Sequence, residues 1–337
     1  AIVPSEPSDS AAANPPAEGE SESLGLIDSL KILFLASRAF WIVNLVSFGD
    51  GIAYFGILTL LTRYLGSDLG FGDQMAGIAV SFFTGLVTLA MLGGGWVADR
   101  LGVRKALLSA LAIIFVGRFA LALCSDLSSG VLGTAWVALI LMALGYGLFE
   151  PSVYSGVKEY TDPRTAAIGF GLIYSIMNLG IVAENFLSPY VRTEALFFRL
   201  GDWEVHGLGW GIEGVYWVCA AITLIMLLGV LSFLTKKVDE RDRYHGHKVE
   251  KEAAPESSQS AEEEKGSWAQ RHLGPLGDLR FLFFIFILLP VRTLFAHQFL
   301  TIPDYVFRCY PPEVANKFEW LTGLNPLVVC IGVPVLA

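Results

Sequence analysis

The stretch Gly93-Gly94-Gly95-Trp96-Val97-Ala98-Asp99-Arg100-Leu101-Gly102-Val103-Arg104-Lys105 decides how this chain is read. It is a short charged turn held between two apolar runs, each near the roughly twenty residues a helix needs to cross a bilayer. Small glycines let helix backbones approach closely where lipid supplies no hydrophobic drive between helices. The turn itself offers a carboxylate, Asp99, that suits a facing helix N-terminus, and cations that suit lipid headgroups.

Composition extends that reading to the whole chain. Its 337 residues are 54% hydrophobic and only 16% charged, with mean hydropathy +0.56. A soluble domain carries about a quarter charged residues, so the expectation is a multi-pass membrane protein. The net charge of −9 does not indicate a partner, because much of it lies in two polar segments. Cys124, Cys219, Cys309 and Cys330 form no Cys-x-x-Cys pair, so neither a disulfide framework nor a metal site is indicated. Gly145-Tyr146-Gly147 sits in an apolar run rather than after a strand, no Gly-Lys-Ser/Thr phosphate loop occurs, and no Ser-His-Asp constellation stands out. The reading is therefore no enzyme, no cofactor, no metal and no nucleic-acid partner. The oligomeric state is open and compatible with a monomer.

Outward from the quoted turn, residues 1–33 are rich in Pro, Ser and Glu and read as a disordered cytoplasmic tail. Seven apolar runs follow, at about 40–64, 75–98, 106–124, 131–154 (extending to 160), 166–191, 212–234 and 281–302, and an eighth begins near Leu321. The predicted organisation is an N-terminal six-helix bundle over 34–235, a cytoplasmic linker over 236–279 with a short amphipathic helix, and a partial second bundle over 280–337. The chain opens without Met and stops in an apolar run at Ala337, so it reads as a C-terminally truncated piece of a longer protein. Cations gather after the second and fourth runs (Arg100, Arg104, Lys105, Lys158, Arg164) and in the linker. The positive-inside rule places those segments in the cytoplasm, and the expected location is a bacterial inner (plasma) membrane.

Gly95, Asp99, Arg100, Gly102, Arg104 and Lys105 fall at the spacing of the conformational signature loop between helices two and three of the major facilitator superfamily, which the chain resembles. The resemblance implies an all-α fold of two six-helix bundles with substrate at the midplane between them. A loop partner in the second bundle is also implied, so Asp99 is expected here to lack its helix-end contact. Gly145-Tyr146-Gly147-Leu148-Phe149-Glu150-Pro151, then Tyr174 and Asn178 in Tyr-x-x-x-Asn-Leu-Gly, then Asn325-Pro326-Leu327, resemble the signatures of proton-dependent oligopeptide transporters. That family's helix-one Glu-x-x-Glu-Arg falls on Ser47, Asp50 and Gly51, and its helix-four lysine falls on Glu150. The cations that help hold a peptide carboxylate in that family are thus replaced.

What remains in physical terms is a carboxylate in each of two spanning segments. Ionisable groups inside a membrane are costly and face a cavity or a partner. Asp50 and Glu150 are therefore candidates to line the central cavity and carry a coupling proton; the alternatives are a hydrogen bond across helices for Asp50 and a paired cation for Glu150. Tyr54, one turn past Asp50, is a candidate substrate contact. Tyr174 and Asn178 enter through the family pattern, Asn178 equally as a packing residue. Arg292 is a candidate replacement for the missing cations, and His297 a titratable group or a wet residue near a helix end. Arg118 is expected to snorkel outward, Arg63 to anchor at the interface, and Glu184 and Asn185 to line an exit.

The function expected is secondary active transport of a small solute, including di- and tripeptides, by alternating access with proton coupling (symport). The partners are then the solute, protons and the bilayer. The alternatives are an exporter or carrier of another small, cationic solute, and a transporter-like sensor that binds without transport.

Overall fold

The computed structural model describes residues 36–162, 165–194, 196–200, 203–243 and 278–336. The predicted tail, most of the linker and Arg164 lie outside them. Helices α1 (Arg38–Arg63), α2 (Gly72–Leu101), α3 (Val103–Ala122), α4 (Val131–Tyr160), α5 (Ala166–Arg192) and α6 (Gly211–Phe233) coincide with the first six apolar runs. Next come α7 (Lys236–Asp242), α8 (Leu279–Leu300), α9 (Ile302–Cys309), α10 (Pro312–Ala315), α11 (Phe318–Thr322) and α12 (Leu324–Leu336). Seven of the described helices are long and apolar enough to cross a membrane, and the fold is all-α as the sequence predicts.

One element departs from that expectation. Between α5 and α6, β1 (Leu196–Leu200) and β2 (Trp203–His206) form an antiparallel ribbon pairing Arg199 with Glu204 and Leu200 with Trp203. The alternation of large and polar residues there is too short to stand out beside membrane-length runs.

Helix α1 sits at the centre, packed against α4, α5 and α6 and touched by α8. Its first turn is capped by Ser37, whose Oγ accepts from the Phe40 amide at 3.2 Å. Helix α2 lies at the periphery, with Leu89 and Leu92 largely exposed, and α8 exposes Phe283, Phe284 and Phe286. In water such surfaces would aggregate; against acyl chains they are the required exterior, since each helix satisfies its own backbone.

Glycine sets the closest crossings. A Cβ at Gly51 of α1 would collide with the Met177 carbonyl of α5, and one at Gly180 of α5 with the Phe48 carbonyl of α1. Gly94 and Gly147 do the same for α2 and α4. Within the glycine triplet the close approach thus belongs to Gly94, whereas Gly93 and Gly95 have nothing near. Gly102 alone joins α2 to α3 and has φ +74°, a left-handed conformation that disfavours any side chain.

The start of α3 in the quoted stretch lies beside the end of α6 and α7. Arg104 Nε donates to the Leu234 carbonyl at 2.6 Å, capping the C-terminal end of α6. Arg104 and Lys105 share a pocket with Lys236, Asp239, Glu240 and Arg243. Arg100 lies over the Trp96 ring, 3.6 Å from its centre. Asp99 is exposed and makes no hydrogen bond or ion pair among the described residues.

Candidate functional site

The lone acid of α1, Asp50, and the one base in the apolar part of α3, Arg118, meet inside the helix packing. Arg118 Nη2 donates to Asp50 Oδ1 at 3.0 Å, and the Tyr146 hydroxyl donates to the same oxygen at 2.9 Å. Arg118 also donates to the Tyr146 hydroxyl and to Thr223 Oγ1, which in turn donates to the Cys219 carbonyl at 2.7 Å. Arg118 is wholly buried and Asp50 nearly so. A charge that deep is tolerable only when paired and hydrogen-bonded. The expectation that Arg118 snorkels outward is therefore corrected: α3 faces α4 and α6 at that turn, and Asp50 gives the cation a partner that bulk water would otherwise supply.

Local sequence explains why Tyr146 reaches the pair. Gly145 seats α4 on Ile114 and the Ala110 carbonyl of α3, while Gly147 seats it on Ala90 of α2. The tyrosine between them points into the space the two crossings enclose. Tyr54 of α1 packs edge-on against its ring with centres 4.6 Å apart.

Beside this network lies a narrow pocket of about 10 Å³, lined by Ser47, Asp50, Phe149, Glu150, Val153, Tyr154, Ile173, Tyr174 and Met177. Of the predicted site residues it brings together Asp50, Glu150 and Tyr174. Glu150 has no hydrogen-bond or ion-pair partner among the described residues, so the suggested pairing with a nearby cation is not formed. The Asp50 oxygen Oδ2 likewise has no described donor, both of its neighbours being spent on Oδ1.

The other candidates stand elsewhere. Asn178 is buried and its Nδ2 donates to the Tyr174 carbonyl at 2.8 Å, a bond within its own helix. His297 is exposed, bonds Thr301 Oγ1 at 2.7 Å and lines a separate pocket with Thr62, Val80, Thr293 and Asp304. Arg292 lies on α8, but its side chain falls outside the described residues.

Glu184 and Asn185 do not line an open exit. Both are buried, Glu184 against Gly56 and Asn185 against Gly323, with Asn185 Oδ1 accepting from Thr322. Nearby, Arg192 donates to the buried Glu319 at 2.7 Å, joining α5 to α11. Arg63 stacks over Phe307 of α9, 4.4 Å from its ring centre.

Sequence reasoning missed Arg118, Tyr146 and Thr223 as one unit. The available signal was charge pairing: a single acid in the first run and a single base in the third, each too costly to leave alone in hydrocarbon.

A family model described as Major Facilitator Superfamily matches residues 3–185. "Peptide transporter family 1" of Caenorhabditis elegans is 29% identical over 206 residues, covering 59% of this chain and 24% of that protein. The protein of the same description in Drosophila melanogaster is 28% identical over 208 residues, covering 60% and 26%. "Uncharacterized transporter YclF" of Bacillus subtilis (strain 168) is 30% identical over 210 residues, covering 59% and 38%. The matched part thus spans well under half of each relative's length. Among solved structures, a peptide transporter POT in complex with sulfate superposes with TM-score 0.58 at 21% identity, covering 92% of this chain and 71% of that one. A mutant peptide transporter POT in complex with alafosfalin gives 0.59 at 20% identity, covering 92% and 70%. At such identities these two likenesses carry the fold alone. The family model spans more than half of the sequence, and the chain belongs to the Major Facilitator Superfamily.

Proposed function

We propose that this integral, multi-pass membrane protein moves a small solute by alternating access, driven by a proton gradient. In this reading the six helices over 34–235 are one rocking unit, 236–279 is a cytoplasmic linker, and the helices over 280–337 begin the second unit. The segment Gly95–Lys105, the end of α2 and the start of α3 joined at Gly102, lies on the cytoplasmic face of a plasma membrane.

The observation that carries the reading is the buried Asp50–Arg118–Tyr146 network adjoining a pocket that also holds Glu150. A carboxylate that alternates between a guanidinium and a proton is a group whose occupancy biases how α1, α3 and α4 pack. Such a bias is what couples an ion to a conformational change. Relatives described as peptide transporters support a nitrogenous small solute as cargo.

Uptake into proteoliposomes, with and without an imposed proton gradient, tests this. The unaltered protein is expected to accumulate solute only with the gradient. At least one of Asp50→Asn and Glu150→Gln should exchange solute but lose the gradient's effect. Gradient-driven accumulation that persists unchanged in both variants overturns the proton assignment.

A further inference from the structure

The pocket beside Asp50 has a marked charge character. Two carboxylates, two tyrosines, a serine and apolar groups line it, and none of the lining residues is Lys, Arg or His. Among the described residues the cation beside it is Arg118, which is fully buried and committed to Asp50, Tyr146 and Thr223. Asp50 is thus neutralised in place, while Glu150 faces the pocket without a described partner.

An incoming carboxylate or phosphate would meet Glu150 with nothing to offset the repulsion. A cation would meet the unpaired carboxylate and the faces of Phe149, Tyr154 and Tyr174, surfaces that attract positive charge. Of the polar groups left over, the Glu150 carboxylate and Asp50 Oδ2 only accept, while the Ser47 and Tyr174 hydroxyls accept as well as donate. They call for a ligand bearing several N–H donors. A primary ammonium carries three donors in a compact head, as the narrowness of the pocket requires. A quaternary ammonium carries none.

We infer that the Glu150 pocket takes a primary ammonium group, so that the solute is recognised by its amine and not by an acid. The inference rests on the transport reading for the word solute, though not for the site. The division of labour follows: Glu150 holds the ammonium, with Tyr154 and Tyr174 beside it, and Asp50 with Arg118 is left to carry the proton.

The test is binding to the purified chain, read by calorimetry and by the rise in unfolding temperature. The probes are L-alanyl-L-alanine, its N-acetyl derivative, its C-terminal methylamide, and tyramine. The dipeptide, its methylamide and tyramine are expected to bind, and the N-acetyl derivative is not. Glu150→Gln should weaken binding of the amines roughly ten- to a hundredfold, the worth of a charge-assisted hydrogen bond, and Glu150→Asp should retain part of it. The four-probe comparison on the unaltered protein needs no variant to fold. Equal binding of the N-acetyl derivative, binding that requires the free carboxylate, or binding of none of the four overturns the inference. Amine binding without counterflow in proteoliposomes overturns the transport reading and leaves this one standing. Counterflow of the N-acetyl derivative at the dipeptide's rate does the reverse.

Discussion

Arg118 on α3 and Asp50 on α1, 68 residues apart in sequence, form an ion pair at 3.0 Å in which the guanidinium is fully buried and the carboxylate nearly so. Removing one member of such a pair leaves an uncompensated charge, which costs more than removing both. Arg118→Leu alone is expected to destabilise the protein by about 3–5 kcal/mol, and Asp50→Leu by a similar amount. The double substitution should lose less than either. Unfolding midpoints in detergent complete the cycle, and simple additivity of the two losses would refute the coupling.

The contact between α1 and α5 is backbone on backbone at Gly51 and Gly180. Leucine at either position should prevent the crossing and destabilise by at least ~1–3 kcal/mol, the cost of overpacking. Gly85→Leu, at an exposed site on α2 with open space around it, is the control and should be tolerated. Size-exclusion profiles and melting temperatures of the three variants check this.

Among the described residues, two ion pairs tie the segment after α8 to the first six helices, and they differ in burial. Arg192–Glu319 is buried, whereas Arg308–Asp73 is bidentate but substantially exposed. Arg192→Ala strands a buried carboxylate and should cost about 3–5 kcal/mol. Asp73→Ala should cost far less, because water already solvates the pair. Hydrogen exchange over residues 302–322 should therefore rise sharply in the first variant and hardly in the second.

Acid sensitivity should arise at the end of the bundle that carries the quoted turn. Asp242 of α7 accepts from the Ala39 amide at 3.0 Å and from Arg241 Nε at 2.7 Å. Partial burial works against its charge, but the Arg241 and Ala39 hydrogen bonds prevail and hold the carboxyl below its usual range. A group whose folded pKa is depressed contributes stability above its unfolded pKa and loses it as pH falls through the folded value. The α1–α7 contact should accordingly weaken below about pH 4. Melting temperature followed against pH should show a shallower acid fall in Asp242→Asn than in the unaltered protein. Identical curves would remove Asp242 from the account.

The sequence by itself determined the number, length and order of the spanning helices, because burial of the backbone in hydrocarbon permits little else than long apolar helices. It also determined the turn at Gly102 and the superfamily, and it nominated Asp50 and Glu150 because isolated acids in apolar runs are costly. Only the tertiary structure decided that Arg118 turns inward to Asp50, that Tyr146 completes the pair, and that Glu150 is left facing the pocket without a cation. The same holds for His297, Glu184 and Asn185, whose surroundings come from helices distant in sequence. The reason is periodicity. Hydropathy marks which residues form a helix, but α1 and α4 are apolar nearly all round, so which face of each meets which neighbour is set by small-residue contacts and buried charge pairs between helices.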